Sequence, residues 1–324
     1  MGRVFRGRDL ELERDVAVKL LPAGAERDPA ALLRFRREAC AVSELRSRHI
    51  VSVYECGLEA EVPYIVMELL EGESLAARLG RGPPITLTEL SEWVHQACLA
   101  LDVAHSRGLI HRDIKPSNLF LVPRGYRLEL KLLDFGIVKS LTEPDSLEST
   151  LVGSPGYLSP EQACGRRVDT TSDLWSLAAV VYRAVTGVEP FSAPSLVETL
   201  ERVCFRPIRR PSAVRAGLPP VLDAFIERGL CREQRGRFRS ALELSAALSR
   251  VAMEHGHQLL PASPRSPPPA APRTDSTRSW ATARGAAITR EGWPASSLRA
   301  GALERSGRAL PVRPSLAAGK PLRR

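Results

Sequence analysis

The stretch from Leu109 to Glu161 constrains this chain more than any other, because it sets three polar blocks in a fixed order. The first reads His111-Arg112-Asp113-Ile114-Lys115-Pro116-Ser117-Asn118. The second is Leu132-Leu133-Asp134-Phe135-Gly136, and the third runs from Gly153-Ser154 to Ser159-Pro160-Glu161. Strand-like runs at 119–122 and 128–133 lie between Asn118 and Asp134, sixteen positions apart. The side chains suit phosphate chemistry. Asp113 is a carboxylate able to orient a hydroxyl and take its proton, and Lys115 is a cation beside it. Asn118 and Asp134 are hard oxygen donors of the kind Mg²⁺ requires.

The flanking pattern gives these blocks a frame. Residues 1–7 and 14–21 read as two antiparallel strands, with Lys19 interrupting the apolar run Val16 to Leu21. Residues 29–46 read as a helix carrying Glu38, nineteen positions after Lys19. Ile50–Cys56 and Pro63–Glu68 read as further strands. From Thr86 the period becomes helical through Leu90, Trp93, Val94, Ala97, Leu101 and Ala104, after a Thr86/Glu89 capping box. Helical patterns at about 171–186, 219–230 and 240–254 follow. His95 and His105 are read as surface or packing residues, since no metal-ligand spacing surrounds them.

Together the blocks resemble the eukaryotic-like (Hanks-type) Ser/Thr protein kinases of bacteria, over residues 2 to 250. The resemblance implies an α+β bilobal kinase fold within a catalytic domain at 1–257. A small antiparallel β lobe with one helix would occupy about 1–70, and a mainly helical lobe about 71–257. It implies catalytic roles for Asp113, Lys115 and Asn118, and metal binding by Asn118 and Asp134. ATP contacts would come from Gly2, Val4, Ala17, Lys19, Glu38, Met67, Glu68, Leu70, Phe120 and Asp134. In such kinases the Lys19–Glu38 pair holds the nucleotide phosphates, with Met67 behind adenine and Glu68 to Leu70 as the hinge. Residues 137–160 would be an activation segment. Ser146, Ser149 and Thr150 are its candidate phosphorylation sites, Arg112 the phosphate's partner, and Ser154 a hydroxyl contact to Asp113 and Lys115. Glu161 would pair with Arg237, and Asp173 would brace the catalytic loop. Ala178 stands where relatives have glycine. The cofactors implied are ATP and Mg²⁺, with Mn²⁺ as the alternative metal. The implied partners are protein substrates and a second copy of the chain for trans-autophosphorylation.

The glycine-rich loop of that family is represented only by Gly2-x-Val4. The expectation is therefore a start codon assigned too far downstream, a fragment, or a degenerate kinase. The rival function is a pseudokinase acting as a binding scaffold, against which stand Lys19, Glu38, Asp113, Asn118 and Asp134. A small-molecule phosphotransferase is a third reading, disfavoured by the Ser159-Pro-Glu161-Gln-Ala segment.

The net charge of +9 suggests a nucleic-acid partner only until it is located. Residues 261–324 hold 12 Lys+Arg against 3 Asp+Glu, leaving 34 of each before them. The body is neutral and no specific nucleic-acid partner is expected. The Pro-, Ala-, Ser- and Arg-rich segment 258–324 reads as a disordered tail. Six cysteines without a C-x-x-C pair read as reduced thiols, and no apolar run approaches a membrane span. A cytoplasmic location follows from both. Lysine is scarce, at 19, 115, 131, 139 and 320 only, so lysines at motif positions stand out against the arginine background.

Overall fold

The computed structural model describes residues 3–20, 29–59, 62–81, 84–135, 155–257 and 259–260, all within the unit Met1–Ala286. It opens with a hairpin, β1 (Arg3–Asp9) and β2 (Arg14–Leu20), in which Val4 lies opposite Lys19. Helix α1 (Pro29–Ser43) follows, then β3 (Val53–Glu59) and β4 (Val62–Glu68). The four strands form one antiparallel sheet in the order β1-β2-β4-β3. Burial alternates along β4, with Pro63, Ile65 and Met67 inward, as a sheet with one covered face requires. Helix α1 covers that face, inserting Phe35, Ala39 and Val42 into the core.

The third strand starts later than the sequence suggests. Register shifts between Val53 and Glu55, and Ile50 instead bridges Leu132 of the following lobe. Backbone bonds from Val51 N to Leu132 O (3.0 Å) and from Leu132 N to His49 O (2.8 Å) complete this tie.

After β4 come β5 (Glu73–Ser74), α2 (Leu75–Arg81), β6 (Ile85–Thr86) and α3 (Leu87–Ser106). Thr86 caps α3 in a reciprocal box: its Oγ1 accepts from Glu89 N (3.1 Å), and Glu89 Oε2 accepts from Thr86 N (2.7 Å). The hairpin of β7 (Leu119–Arg124) and β8 (Arg127–Leu132) pairs with β5. Gly72 is obligatory beside it: its φ is +154°, and a Cβ there would lie 2.1 Å from Leu121 O.

The remaining helices are α4 (Pro160–Ala163), α5 (Thr170–Thr186), α6 (Leu196–Phe205), α7 (Pro211–Val214), α8 (Pro220–Gly229) and α9 (Ala241–His255). The final strand β9 (Leu259–Leu260) pairs with β6. Helix α5 is the centre of this lobe, buried on nearly every side, capped by Asp169 and ended by Gly187 in the left-handed region. Sequence periodicity does not single out α2 or α6. The former is only seven residues long, and the latter leaves Val197 and Phe205 exposed. Among the described residues no helix is long and apolar enough to cross a membrane.

Candidate active site

The loop from His111 to Asn118 connects α3 to β7, and its geometry is imposed from outside. Asp173, near the start of α5 and buried, accepts from His111 N (2.9 Å) and Arg112 N (2.8 Å). His105 Nε2 reaches the same carboxylate at 2.8 Å. His105 is thus a specific partner of Asp173, where the sequence suggests a surface or packing residue. Likewise His95 Nδ1 meets Ser245 Oγ at 2.8 Å. Arg112 adopts φ +63°, a region in which a non-glycine residue must be held. It is held at both ends, because its carbonyl accepts from Gln162 Nε2 (2.8 Å) on α4.

His111 is wholly buried and tilted against Phe135, with 4.7 Å between ring centroids. Its Nε2 lies 2.8 Å from Leu133 O, which can only accept, so the proton sits on Nε2. Nδ1 is then free to accept from Asp113 N at 3.2 Å. Burial lowers the His111 pKa, outweighing the nearby carboxylates of Asp173, Asp113 and Asp134, and keeps this neutral tautomer.

The polar residues singled out by the sequence converge here. Asp113 Oδ2 accepts from Lys115 Nζ (2.8 Å) and from Asn118 Nδ2 (2.9 Å), while Asn118 Nδ2 also donates to Asp113 O (2.8 Å). On the facing lobe, Lys19 Nζ lies 2.7 Å from Asp134 Oδ1. Asp134 too has positive φ, +50°. The donor set suits a hard divalent cation. Asn118 commits its amide nitrogen to Asp113, which turns its oxygen the other way, and Asp134 offers a carboxylate half-exposed in the same cleft.

Beside these groups lies a small separate apolar cluster of Ala17, Val51, Met67, Leu70, Phe120, Val122 and Leu133, with Val4 packed against it. It draws together the apolar positions assigned to adenine, from β1, β2, β4 and β7. Val51, Val122 and Leu133 are members that sequence reasoning does not supply. Another such residue is Lys131, whose Nζ is 2.8 Å from Glu68 Oε2 and so pins the end of β4 to β8. Its signal is there in retrospect: a lysine kept in a chain that otherwise uses arginine.

Glu38 lies on α1. Glu161 and Arg237 form a buried bidentate pair, Nη1 to Oε1 at 2.7 Å and Nη2 to Oε2 at 2.8 Å. Gly2, Ser146, Ser149, Thr150 and Ser154 lie outside the described residues.

A two-lobed domain with a braced Asp-x-Lys-x-x-Asn loop facing a strand lysine and a second aspartate has the architecture of a protein kinase. The chain belongs to that family: the protein kinase domain family matches residues 1–245. It is 38% identical over 299 residues to serine/threonine-protein kinase PknB of Mycobacterium leprae, covering 88% of this chain and 45% of that protein. Against PknB of Mycobacterium tuberculosis it is 40% identical over 263 residues, covering 78% and 41%. Against Pkn1 of Myxococcus xanthus it is 36% identical over 258 residues, covering 79% and 37%. The chain thus spans less than half the length of these curated relatives. The crystal structure of the Mycobacterium tuberculosis PknI kinase domain superposes with a TM-score of 0.62 at 27% identity, covering 77% of this chain and 91% of that one.

Proposed function

We propose that the chain transfers the γ-phosphate of ATP to Ser or Thr hydroxyls of protein substrates. The observation that carries this reading is the Asp113 carboxylate, gripped at one oxygen by both Lys115 and Asn118 in a loop that Asp173 fixes. Asp113 orients the substrate hydroxyl and takes its proton as the oxygen attacks. Lys115 places positive charge beside the transferring group, which is where charge accumulates. Asn118 and Asp134 would hold Mg²⁺, or Mn²⁺ in its place, and the metal supplies charge neutralisation at the phosphates. Lys19 holds the phosphates from the small lobe, with Glu38 as its partner once nucleotide separates it from Asp134. Val4, Ala17, Met67, Leu70 and Phe120 enclose the adenine, and backbone groups of 68–70 read its edge. Phosphate on Ser146, Ser149 or Thr150 would be held by Arg112, added in trans by a second copy. Dependence on ATP places the reaction in the cytoplasm.

The test is transfer of labelled γ-phosphate to protein, with phosphoamino-acid analysis, in the full chain and in Asp113→Asn. Phosphoserine or phosphothreonine is expected from the first. The variant should lose at least a hundredfold in rate while still binding ATP. Transfer that survives Asp113→Asn, or product on tyrosine, overturns the reading.

A further inference from the structure

Two of the six cysteines meet in space although forty residues separate them. Cys164 Sγ and Cys204 Sγ are 3.3 Å apart, only about 1.3 Å more than the ~2.05 Å of a disulfide. Cys164 caps α4, its N–H donating to Gln162 O and Pro160 O, and its side chain is exposed. Cys204 lies on the last turn of α6 and is half-buried. The two elements pack directly against each other, so little motion separates contact from bond.

The surroundings divide the roles. Arg232 donates to Val203 O (3.1 Å) and Arg202 O (3.0 Å), which sets a guanidinium at the Cys204 end of α6. Burial pushes the Cys204 thiol up to about 11, and the hydrogen bond and charge of Cys164 push the same way, against Arg232 and Arg166. Cys204 therefore waits as a thiol while exposed Cys164 meets solvent. The other cysteines are less well placed. Cys98 is fully buried, and Cys56 on β3 is a half-buried thiol near Cys40 of α1, likewise raised to about 11 by burial.

We propose that Cys164 and Cys204 are a reversible modification site, closed to a disulfide by hydroperoxides and reopened by dithiols. The Cys164 thiolate attacks a peroxide oxygen, the O–O bond breaks, and the alkoxide or hydroxide leaves with a proton from solvent, giving a sulfenic acid. Cys204 sulfur then attacks Cys164 sulfur. The S–O bond breaks, and the hydroxyl departs as water with the Cys204 proton. Two thiols and one hydroperoxide give one disulfide, one alcohol or water, and one further water. The bond would fasten α6 to the short helix whose Gln162 holds the Arg112 carbonyl and whose Glu161 holds Arg237. It touches none of Lys19, Asp113, Asn118 or Asp134.

The experiment treats the full chain with hydrogen peroxide from equimolar to tenfold excess, blocks remaining thiols, and maps peptides without reduction. A linked Cys164–Cys204 peptide should dominate, with two of the six thiols lost, and dithiothreitol should restore both. In Cys204→Ser, Cys164 should become a sulfenic acid trapped by dimedone. In Cys164→Ser, Cys204 should stay a thiol at the same dose. A wild-type map with all thiols intact overturns the proposal. So does one in which Cys40 and Cys56 are joined instead, or in which Cys164 is over-oxidised with Cys204 unlinked.

Discussion

Arg237 lies wholly inside the helical lobe with both terminal nitrogens on Glu161, and neither side chain reaches solvent to any useful extent. The rest of the arginine is equally committed: Nε donates to Cys231 O (2.7 Å), Nη2 to Arg232 O (3.1 Å), and the guanidinium lies over the Trp175 ring. Ser172 Oγ adds a further bond to Glu161. The pair fastens α4, where the third sequence block ends, to the segment before α9.

Removing one partner leaves the other as a buried, uncompensated charge, which costs about 3–5 kcal/mol. Glu161→Ala should therefore lower the thermal midpoint by roughly 10 °C in a domain of this size. Replacing both residues with apolar side chains should cost less than Glu161→Ala alone. Calorimetry of the three proteins checks this.

Acid should act through the same carboxylate. Burial alone would raise the Glu161 pKa, but hydrogen bonds from Arg237 and Ser172 and the charge of Arg237 hold it below its ordinary 4.5. A depressed carboxylate stabilises the fold above that ordinary value and stops doing so as pH falls through the folded value. In wild type, stability should drop on acidification below 4.5. In Glu161→Gln that part of the slope should vanish, as denaturant titrations at several pH values would show.

Asp173 is the other buried acid among the described residues, and its loss should read out in catalysis. Asp173→Ala leaves the amides of His111 and Arg112 without their acceptor, so Asp113 loses its fixed position. A displacement near 1 Å can cost about a hundredfold in rate. We expect kcat to fall by about that factor and KM for ATP to change less than threefold. Equal loss in both parameters would show that Asp173 supports nucleotide binding instead.

Histidine titration predicts a second pH effect. His111 and His49 both have pKa values lowered from 6.5, in each case chiefly by burial. Protons then bind more readily to the unfolded chain, so stability declines as pH drops below about 6.5 toward the folded values. His111→Phe removes the acceptor for Asp113 N and the donor to Leu133 O. It should cost about 2–4 kcal/mol at neutral pH and flatten the stability profile between pH 5 and 7. A variant whose profile keeps the wild-type slope would rule His111 out as a source.

Much of this architecture was legible in the sequence because it rests on local signals. The Thr86/Glu89 box marks the start of α3, a short apolar run marks β4, and the Asp113–Asn118 block carries its own spacing. What was not legible depends on long-range packing. No local pattern says that His105 will meet Asp173, 68 positions on. Lys131 on β8 meets Glu68, the last residue of β4, across 63 positions of sequence. The late start of β3 follows from residues 49–51 pairing with Leu132 of β8, a contact some eighty positions away in the sequence. The positive φ of Arg112 and Asp134 contradicts local preference, as segments held by a functional loop often do.

Ala178 makes a long-range contact of this kind, and it yields a sharp prediction. A Cβ built on Gly229, the last residue of α8, would lie 2.6 Å from Ala178 Cβ on α5, closer than two carbons can approach. The methyl at 178 thus occupies space that glycine at 229 leaves open, and the helices interlock there. Gly229→Ala gains helix propensity but overpacks the contact, with a net cost of about 1–2 kcal/mol. Ala178→Gly costs about 1 kcal/mol through lost helix propensity and a vacated methyl site. Together the two changes merely move the methyl from one helix to the other. The double variant should therefore be at least about 1 kcal/mol more stable than the sum of the singles predicts, as expected for residues in direct contact. Urea unfolding of the four proteins measures the coupling. A value within about 0.3 kcal/mol of additivity would mean that α5 and α8 shift apart freely, and that the two positions are not matched.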